Sequence, residues 1–187
     1  MTKNPFLLFW MDLEKYSSYS GHSRLLSFLL YRSCWSILLY RISNYLFYNN
    51  WYHFFKRFSL ILMFPVIKMV ELFNGISLPA SAIIGSNFYI GHTGGVNIHP
   101  NVIIGENCNI SKGVTIGISG RDGKRGCPVL GRNIFVGSNA VIVGKIQLED
   151  NIVVAPNSLV INSFPKNVTI CGVPASILSK NNSSNYL

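Results

Sequence analysis

Residues 83–117 read IIGSNFYIGHTGGVNIHPNVIIGENCNISKGVTIG, and aliphatic residues return in them at every sixth position. Ile84, Ile90 and Val96 share one register; after a shift of two residues, Ile98, Ile104, Ile110 and Ile116 share the next. The pattern reaches back to Leu78 and resumes after an insertion as Leu130, Val136, Ile142, Leu148, Val154 and Val160. The following residue is often small or polar, as at Gly85, Gly91, Gly105, Ser111, Gly117, Gly131, Gly137 and Ala155, and the fourth one on is small or β-branched at Val114, Ala140 and Ser158. A period of six matches neither a helix, at 3.6, nor an ordinary amphipathic strand, at 2. It fits short strands that turn a corner after each hexad, with three hexads closing a triangular coil around the repeated aliphatic residue. Gly, Asn and Asp at the corners tolerate the left-handed backbone that such turns need. Neighbouring coils bond through their backbones, so stability accrues along the stack as in a solenoid.

Outward from this stretch the chain changes character near Asn74-Gly75. Gly21 is the only glycine among the first 74 residues, which are rich in Leu, Phe, Tyr and Trp. From Arg24 to Phe73 the apolar residues cover more than one helical face, interrupted by Arg24, Arg32, Arg41, Lys56, Arg57 and Lys68. Two or three helices are expected there, with a turn at Asn49-Asn50 and Pro65 kinking or ending one of them. The expected organisation is a helical segment over residues 1–74, a β domain over 75–178 with a loop at 118–128, and a loose polar tail over 179–187.

The 187 residues are 49% hydrophobic and 12% charged, with a formal net charge of +9. That charge fraction is well below the usual ~25%, so much of the surface must be apolar or neutral, which suits subunit contacts or a membrane. The longest apolar run, Leu60 to Ile67, has eight residues including Pro65, against the ~20 a spanning helix needs. Aromatic residues mixed with Arg and Lys suit a helix lying in a membrane interface, or packing on partner subunits. Asp12, Glu14 and Lys15 interrupt the early apolar stretch, and no signal-peptide cleavage site follows. Nucleic acid is not expected as a partner, for no helix-turn-helix, RNA-binding or zinc-finger pattern is present. Cys34, Cys108, Cys127 and Cys171 have no C-x-x-C spacing and no metal-type cluster with histidine, so they read as four reduced thiols in a cytosolic protein, with no metal.

Three stretches carry a family resemblance: Gly91-His92-Thr93-Gly94-Gly95, Val114-Thr115-Ile116-Gly117 ahead of a Gly-rich loop, and Gly172-Val173-Pro174-Ala175. They resemble the hexapeptide-repeat acyltransferases, more closely the serine-acetyltransferase-like branch, over roughly residues 75–178. The resemblance implies a mainly β fold, a left-handed parallel β-helix preceded by an α-helical N-terminal segment. It also implies acetyl-CoA as co-substrate and a homotrimer with active sites at subunit boundaries. The helical segment is shorter than that of true serine acetyltransferases and looks more like that of small capsule, exopolysaccharide and lipopolysaccharide O-acetyltransferases.

Acetyl transfer from a thioester to an alcohol needs a base at the attacking hydroxyl, donors for the developing oxyanion and a slot for CoA. His92 matches the catalytic histidine of the branch, its imidazole suited to take the hydroxyl proton; the rival reading is a polar corner residue. His99, in Ile98-His99-Pro100, either lines the same groove or is a turn residue ahead of proline. Ser77 stands where the branch has the carboxylate that pairs with the histidine, leaving Glu71 as a substitute or the base unassisted. Gly91 replaces an acidic residue before the catalytic histidine, and Cys127-Pro128 replaces a second histidine before proline. Cys127 reads as a pocket wall rather than a ping-pong nucleophile. In the loop, Arg121, Lys124 and Arg125 are candidates for CoA phosphates or an anionic glycan, or form a solvated basic loop. By position along the prism, Gly117, Ser119, Ser138 and Pro156 are expected on the CoA edge, with Lys180 at its phosphate end.

These departures argue against free serine. The expected activity is O-acetylation of a sugar hydroxyl on a bacterial surface polysaccharide or its precursor, in the cytoplasm and peripherally on the cytoplasmic face of the inner membrane. Serine O-acetylation is the alternative, and a repeat scaffold that has lost its catalytic power is the third.

Overall fold

The structure, a computed structural model, describes residues 4–49, 53–121, 123 and 125–187, the side chains of residues 53–56 excepted. Four helices come first: α1 (Pro5–Ser20), α2 (Arg24–Leu30), α3 (Arg32–Tyr48) and α4 (His53–Asn74). The first coil follows as β1 (Ile76–Ser77), β2 (Ile83–Ile84) and β3 (Tyr89–Ile90). The second is β4 (Val96–Ile98), β5 (Ile103–Ile104) and β6 (Asn109–Ile110); the third is β7 (Thr115–Gly117), β8 (Val129–Leu130) and β9 (Phe135–Val136). The fourth is β10 (Val141–Val143), β11 (Gln147–Leu148) and β12 (Val153–Val154). β13 (Leu159–Val160) and β14 (Thr169–Gly172) begin a last turn, and β15 (Ala175–Ser179) folds back antiparallel on β14.

Every third strand pairs in parallel, which makes three flat sides: sheet A (β1-β4-β7-β10-β13), sheet B (β2-β5-β8-β11) and sheet C (β3-β6-β9-β12-β14, with β15 at its end). The fold is the left-handed parallel β-helix that the family resemblance implies, with the triangular coils expected from the hexads. All fourteen hexad aliphatics named above are buried. A second inward row, two residues earlier, completes the interior: Ala82, Phe88, Val102, Cys108, Ile134 and Ile152 are also buried. The two-residue shift in register has a physical cause. Val96 and Ile98 both face inward around the exposed Asn97, so the extra residues sit in the corner between β3 and β4. That lengthened corner carries His92.

The corners between sheets B and C are built by asparagine. Asn87, Asn107, Asn133, Asn151 and Asn167 all have φ between 55° and 61°, the left-handed region that asparagine tolerates best after glycine. Their amides form a ladder: Asn107 donates to Asn133 at 2.8 Å, Asn133 to Asn151 and Asn151 to Asn167 at 2.9 Å each. At the ladder's start, Lys15 Nζ donates to Asn107 Oδ1 at 2.6 Å and to the Asn87 carbonyl at 3.3 Å. On the corner between sheets C and A, Gly113 (φ 75°) packs so close to the Asn139 amide that no Cβ fits.

The helices cap the open end of the first coil, whose edge strands would otherwise leave backbone groups unpaired. Tyr40 Oη donates to the Ala82 carbonyl at 2.9 Å and accepts from Ile84 N–H at 3.1 Å. Tyr16 Oη does the same for Ile90, donating to its carbonyl at 2.9 Å and accepting from its N–H at 3.0 Å. Arg41 donates to the Ile84 and Gly85 carbonyls at 2.7 and 2.6 Å and forks onto Asp12 at 2.8 and 3.0 Å; Asp12 also accepts from Phe88 N–H at 2.8 Å. Both members of that ion pair are 1% exposed.

Two expectations need adjustment. α1 falls within the segment expected to be helical, and its inward face carries Asp12, Lys15 and Tyr16, whose polar atoms serve the first coil. Pro65 does not end α4, which runs on to Asn74. The tail is docked on sheet C rather than loose: Thr169 Oγ1 donates to the Asn181 carbonyl at 2.9 Å, Asn109 Nδ2 to the Tyr186 carbonyl at 2.9 Å, and the Tyr186 ring lies 4.8 Å from Phe135. α3 ends at Tyr48, next to the expected turn; Asn50 lies outside the described residues. Among the described residues no single helix is long and apolar enough to cross a membrane.

Candidate functional site

The sequence-derived site residues fall on the two edges that border sheet A. On the edge between sheets C and A stands His92, exposed on its lengthened corner, with Ser138 and Pro156 at the equivalent corners of later coils. On the edge between sheets A and B stand His99, at the end of β4, and the excursion from Gly117 to Cys127. Ser119 and Gly126 close that excursion with paired backbone hydrogen bonds of 3.2 and 3.0 Å. Arg121 and Arg125 are exposed on it; Lys124 lies outside the described residues. Lys180 follows β15 beside the start of β14, so it belongs to the third edge, apart from the rest.

Within one chain β4 therefore separates His92 from His99, and the two stand on different edges of a single copy. Ser77 lies on the outer face of sheet A, opposite Asn97. Among the described residues no hydrogen bond joins Ser77 or any carboxylate to His92. Glu71 is engaged with Lys68 at 2.7 Å, three residues back on α4, so it does not replace the missing acid.

The A/B edge holds an arrangement that the sequence reading missed. Cys127 Sγ lies 3.1 Å from His99 Nδ1, and the same nitrogen accepts the Asn101 backbone N–H at 3.2 Å. Val129 pairs with Ile103 across the coils, so Cys127, two residues before Val129, stands over Asn101. Counting the coil register backward from Leu130 across the insertion would have found this. Burial pushes the Cys127 thiol above its ordinary range. A thiol that keeps its proton is a poor nucleophile, which fits its reading as a pocket wall rather than an acyl carrier. Among the described residues no cluster of His, Cys, Asp or Glu is fit to hold a metal.

A cavity of about 830 Å³ opens elsewhere, on the outer face of sheet B beside Pro5, Tyr45, Tyr48 and Arg132. Neither histidine nor cysteine lines it, and its one carboxylate is Glu106.

No protein-family model matches the chain. A serine acetyltransferase of Staphylococcus xylosus is 31% identical over 126 residues, 67% of this chain and 58% of that protein. One of Synechococcus elongatus is 32% identical over 108 residues, 58% of this chain and 44% of that protein. The chain thus spans about half the length of these curated relatives. The crystal structure of a Brucella abortus serine acetyltransferase in complex with coenzyme A superposes with a TM-score of 0.80 at 23% identity, covering 95% of this chain and 68% of that one. A Neisseria gonorrhoeae serine acetyltransferase in complex with serine gives 0.77 at 22%, covering 94% and 69%. These relatives overturn the expectation of a surface-polysaccharide acetyltransferase: they favour the alternative, and the likeness of the short helical segment to capsule enzymes finds no support. Over the 108 to 126 residues matched, this chain is homologous to serine acetyltransferases, of the hexapeptide-repeat acyltransferase family.

Proposed function

We propose that the protein transfers the acetyl group of acetyl-CoA to the hydroxyl of serine. The observation that carries the reading is His92, exposed at the lengthened corner of a β-helix in a chain homologous to serine acetyltransferases. Its imidazole removes the hydroxyl proton as the oxygen attacks the thioester carbonyl. The tetrahedral intermediate then collapses, the C–S bond breaks, and the imidazolium returns the proton to the departing CoA thiolate. With Ser77 in place of a carboxylate, no acid is bonded to His92 among the described residues. Arg121 and Arg125 are suited to the CoA phosphates.

The separation of His92 from His99 and Cys127 supports an assembly in which the C/A edge of one copy meets the A/B edge of the next. Three copies around a threefold axis satisfy both edges of every chain. The test is thiol release from acetyl-CoA by the purified protein, with and without L-serine, and with O-acetylserine identified by mass. Serine-dependent release that is lost in His92→Ala supports the reading. Thiol release that does not rise with serine rejects it.

A further inference from the structure

His99 is held in one tautomer. A backbone N–H can only donate, so the Asn101 contact at 3.2 Å means that Nδ1 carries a lone pair and the ring proton sits on Nε2. The Cys127 thiol, 3.1 Å from the same nitrogen, adds a second donor to it. Nε2–H is left as a donor with no protein acceptor among the described residues. The adjoining loop is net basic in sequence, with Arg121, Lys124 and Arg125 against Asp122, and Lys145 packs under Gly126. A fixed N–H donor in a positive setting suits an anionic oxygen.

Resting on the serine reading above, we propose that His99 binds the carboxylate of the hydroxyl-bearing acceptor through Nε2–H, with Cys127 as a positioning residue that holds the tautomer. The acceptor is thereby an amino acid with a free carboxylate, recognised from the edge opposite to the one that bears the base. Acceptor selectivity and acetyl transfer then come from different copies of the chain.

The experiment compares L-serine with L-serinamide, which keeps the hydroxyl and lacks the carboxylate. In His99→Ala, kcat/KM for serine falls roughly ten- to a hundredfold, the loss expected for one hydrogen bond to a charged group. The value for serinamide and the KM for acetyl-CoA stay within about twofold of wild type, on the same premise that only that bond is lost. Cys127→Ser keeps a donor to Nδ1 and restores serine selectivity that Cys127→Ala weakens. Nitrogen chemical shifts of His99 report an unprotonated Nδ1. An equal loss with both acceptors, a raised KM for acetyl-CoA instead, or a protonated Nδ1 overturns the assignment. A wild type inactive with serine brings down the functional reading itself, and the carboxylate contact with it; serine turnover unaltered in His99→Ala brings down the contact alone.

α4 carries an independent signal. Phe58, Ile61, Leu62, Met69, Leu72 and Phe73 recur at helical spacing on the face turned away from α3, and each is more than half exposed. Arg57 and Lys68 flank this stripe, and the helix's carboxylate, Glu71, is tied to Lys68. Pro65 lies on the same face and leaves the Ile61 carbonyl without its helical donor, which a dry helix seam would orphan. We infer that the stripe lies in the wet headgroup layer of an anionic lipid surface.

Sedimentation with vesicles containing phosphatidylglycerol, or phosphatidylcholine alone, tests this against Leu62→Gln/Leu72→Gln. Binding to the anionic vesicles only, weakened at least several-fold in the variant, supports the inference. No binding overturns it, and a smaller assembly size for the variant in the absence of lipid assigns the stripe to a second copy.

Discussion

The Asp12–Arg41 pair fixes the helical cap to the first coil, and removing one partner exposes how much depends on it. In Arg41→Leu the Asp12 carboxylate stays buried with one remaining donor, Phe88 N–H at 2.8 Å, while the Ile84 and Gly85 carbonyls lose theirs. Stranding one member of a buried pair costs about 3–5 kcal/mol. With a urea slope of roughly 2 kcal/mol/M, the unfolding midpoint falls by about 1.5–2.5 M, read by circular dichroism at fixed protein concentration. The deficit also has a pH signature. Arg41 opposes the upward push of burial on the Asp12 carboxyl; without it, only the Phe88 N–H and the Lys15 charge oppose burial, and the folded-state pKa climbs further above the unfolded value. A raised folded-state pKa stabilises at low pH and is lost as pH rises, so the variant approaches wild type on acidification from pH 8 to pH 5. Asp12→Asn strands Arg41 in the converse way, and the double variant Asp12→Asn/Arg41→Leu costs less than the two single losses added together, because neither unpaired charge remains. A single loss below about 1 kcal/mol, or losses that simply add, would refute the role given to the pair, for both fall outside the range for a stranded buried charge.

Lys15 is held down to about 8, with burial the main cause. A lysine whose folded-state pKa lies below its unfolded one costs stability when protonated, so this group makes stability rise with pH from about 8 toward its unfolded value. Cys34 and Cys108, pushed up by burial to about 12 and about 11, act with the opposite sign above their ordinary 9. Lys15→Met should therefore flatten a rising stability profile between pH 8 and pH 9. His92→Ala should lower kcat by roughly a hundredfold or more without moving the thermal midpoint, since the side chain is exposed and makes no hydrogen bond among the described residues. Asn133→Ala should cost about 2–3 kcal/mol, combining left-handed strain with two lost ladder bonds, and Asn133→Gly less, because only the bonds are lost; urea titration of the pair separates strain from hydrogen bonding.

The β-helix was legible because its period is set by inward residues that nothing else satisfies: a hexad aliphatic has one place to go, and Ile90, Ile110 and Val136 all reach it. Even the two-residue slip before Ile98 carried information, since it marks the corner lengthened around His92. The helical cap was less legible for the reason that makes it work. Asp12, Lys15, Tyr16, Tyr40 and Arg41 face inward to serve backbone groups of the first coil, so polarity no longer marks the solvent side. The tail misled through its polar composition, which here supplies partners for Asn109 and Asn133. His99 and Cys127 were each visible as candidates, but their meeting depends on coil register carried across an insertion. Their separation from His92 depends on β4 being a flat side rather than a turn.

The cap and the candidate base are mechanically linked. A solenoid frays from its ends, and the end coil here is the one that leads into His92. Tyr16 grips Ile90 by both backbone groups, two residues before the histidine. Gly75, the link from α4 into β1, accepts from Val96 N–H at 2.9 Å on the other side of the same corner. The corner is thus held from α1 before it and from the α4 junction after it, while the histidine itself projects free. Local opening of the first coil would displace His92 while leaving the later coils, with His99 and Cys127 among them, paired. The helical segment is in this sense part of the candidate site: it fixes the corner that carries His92, from a distance and through backbone groups alone.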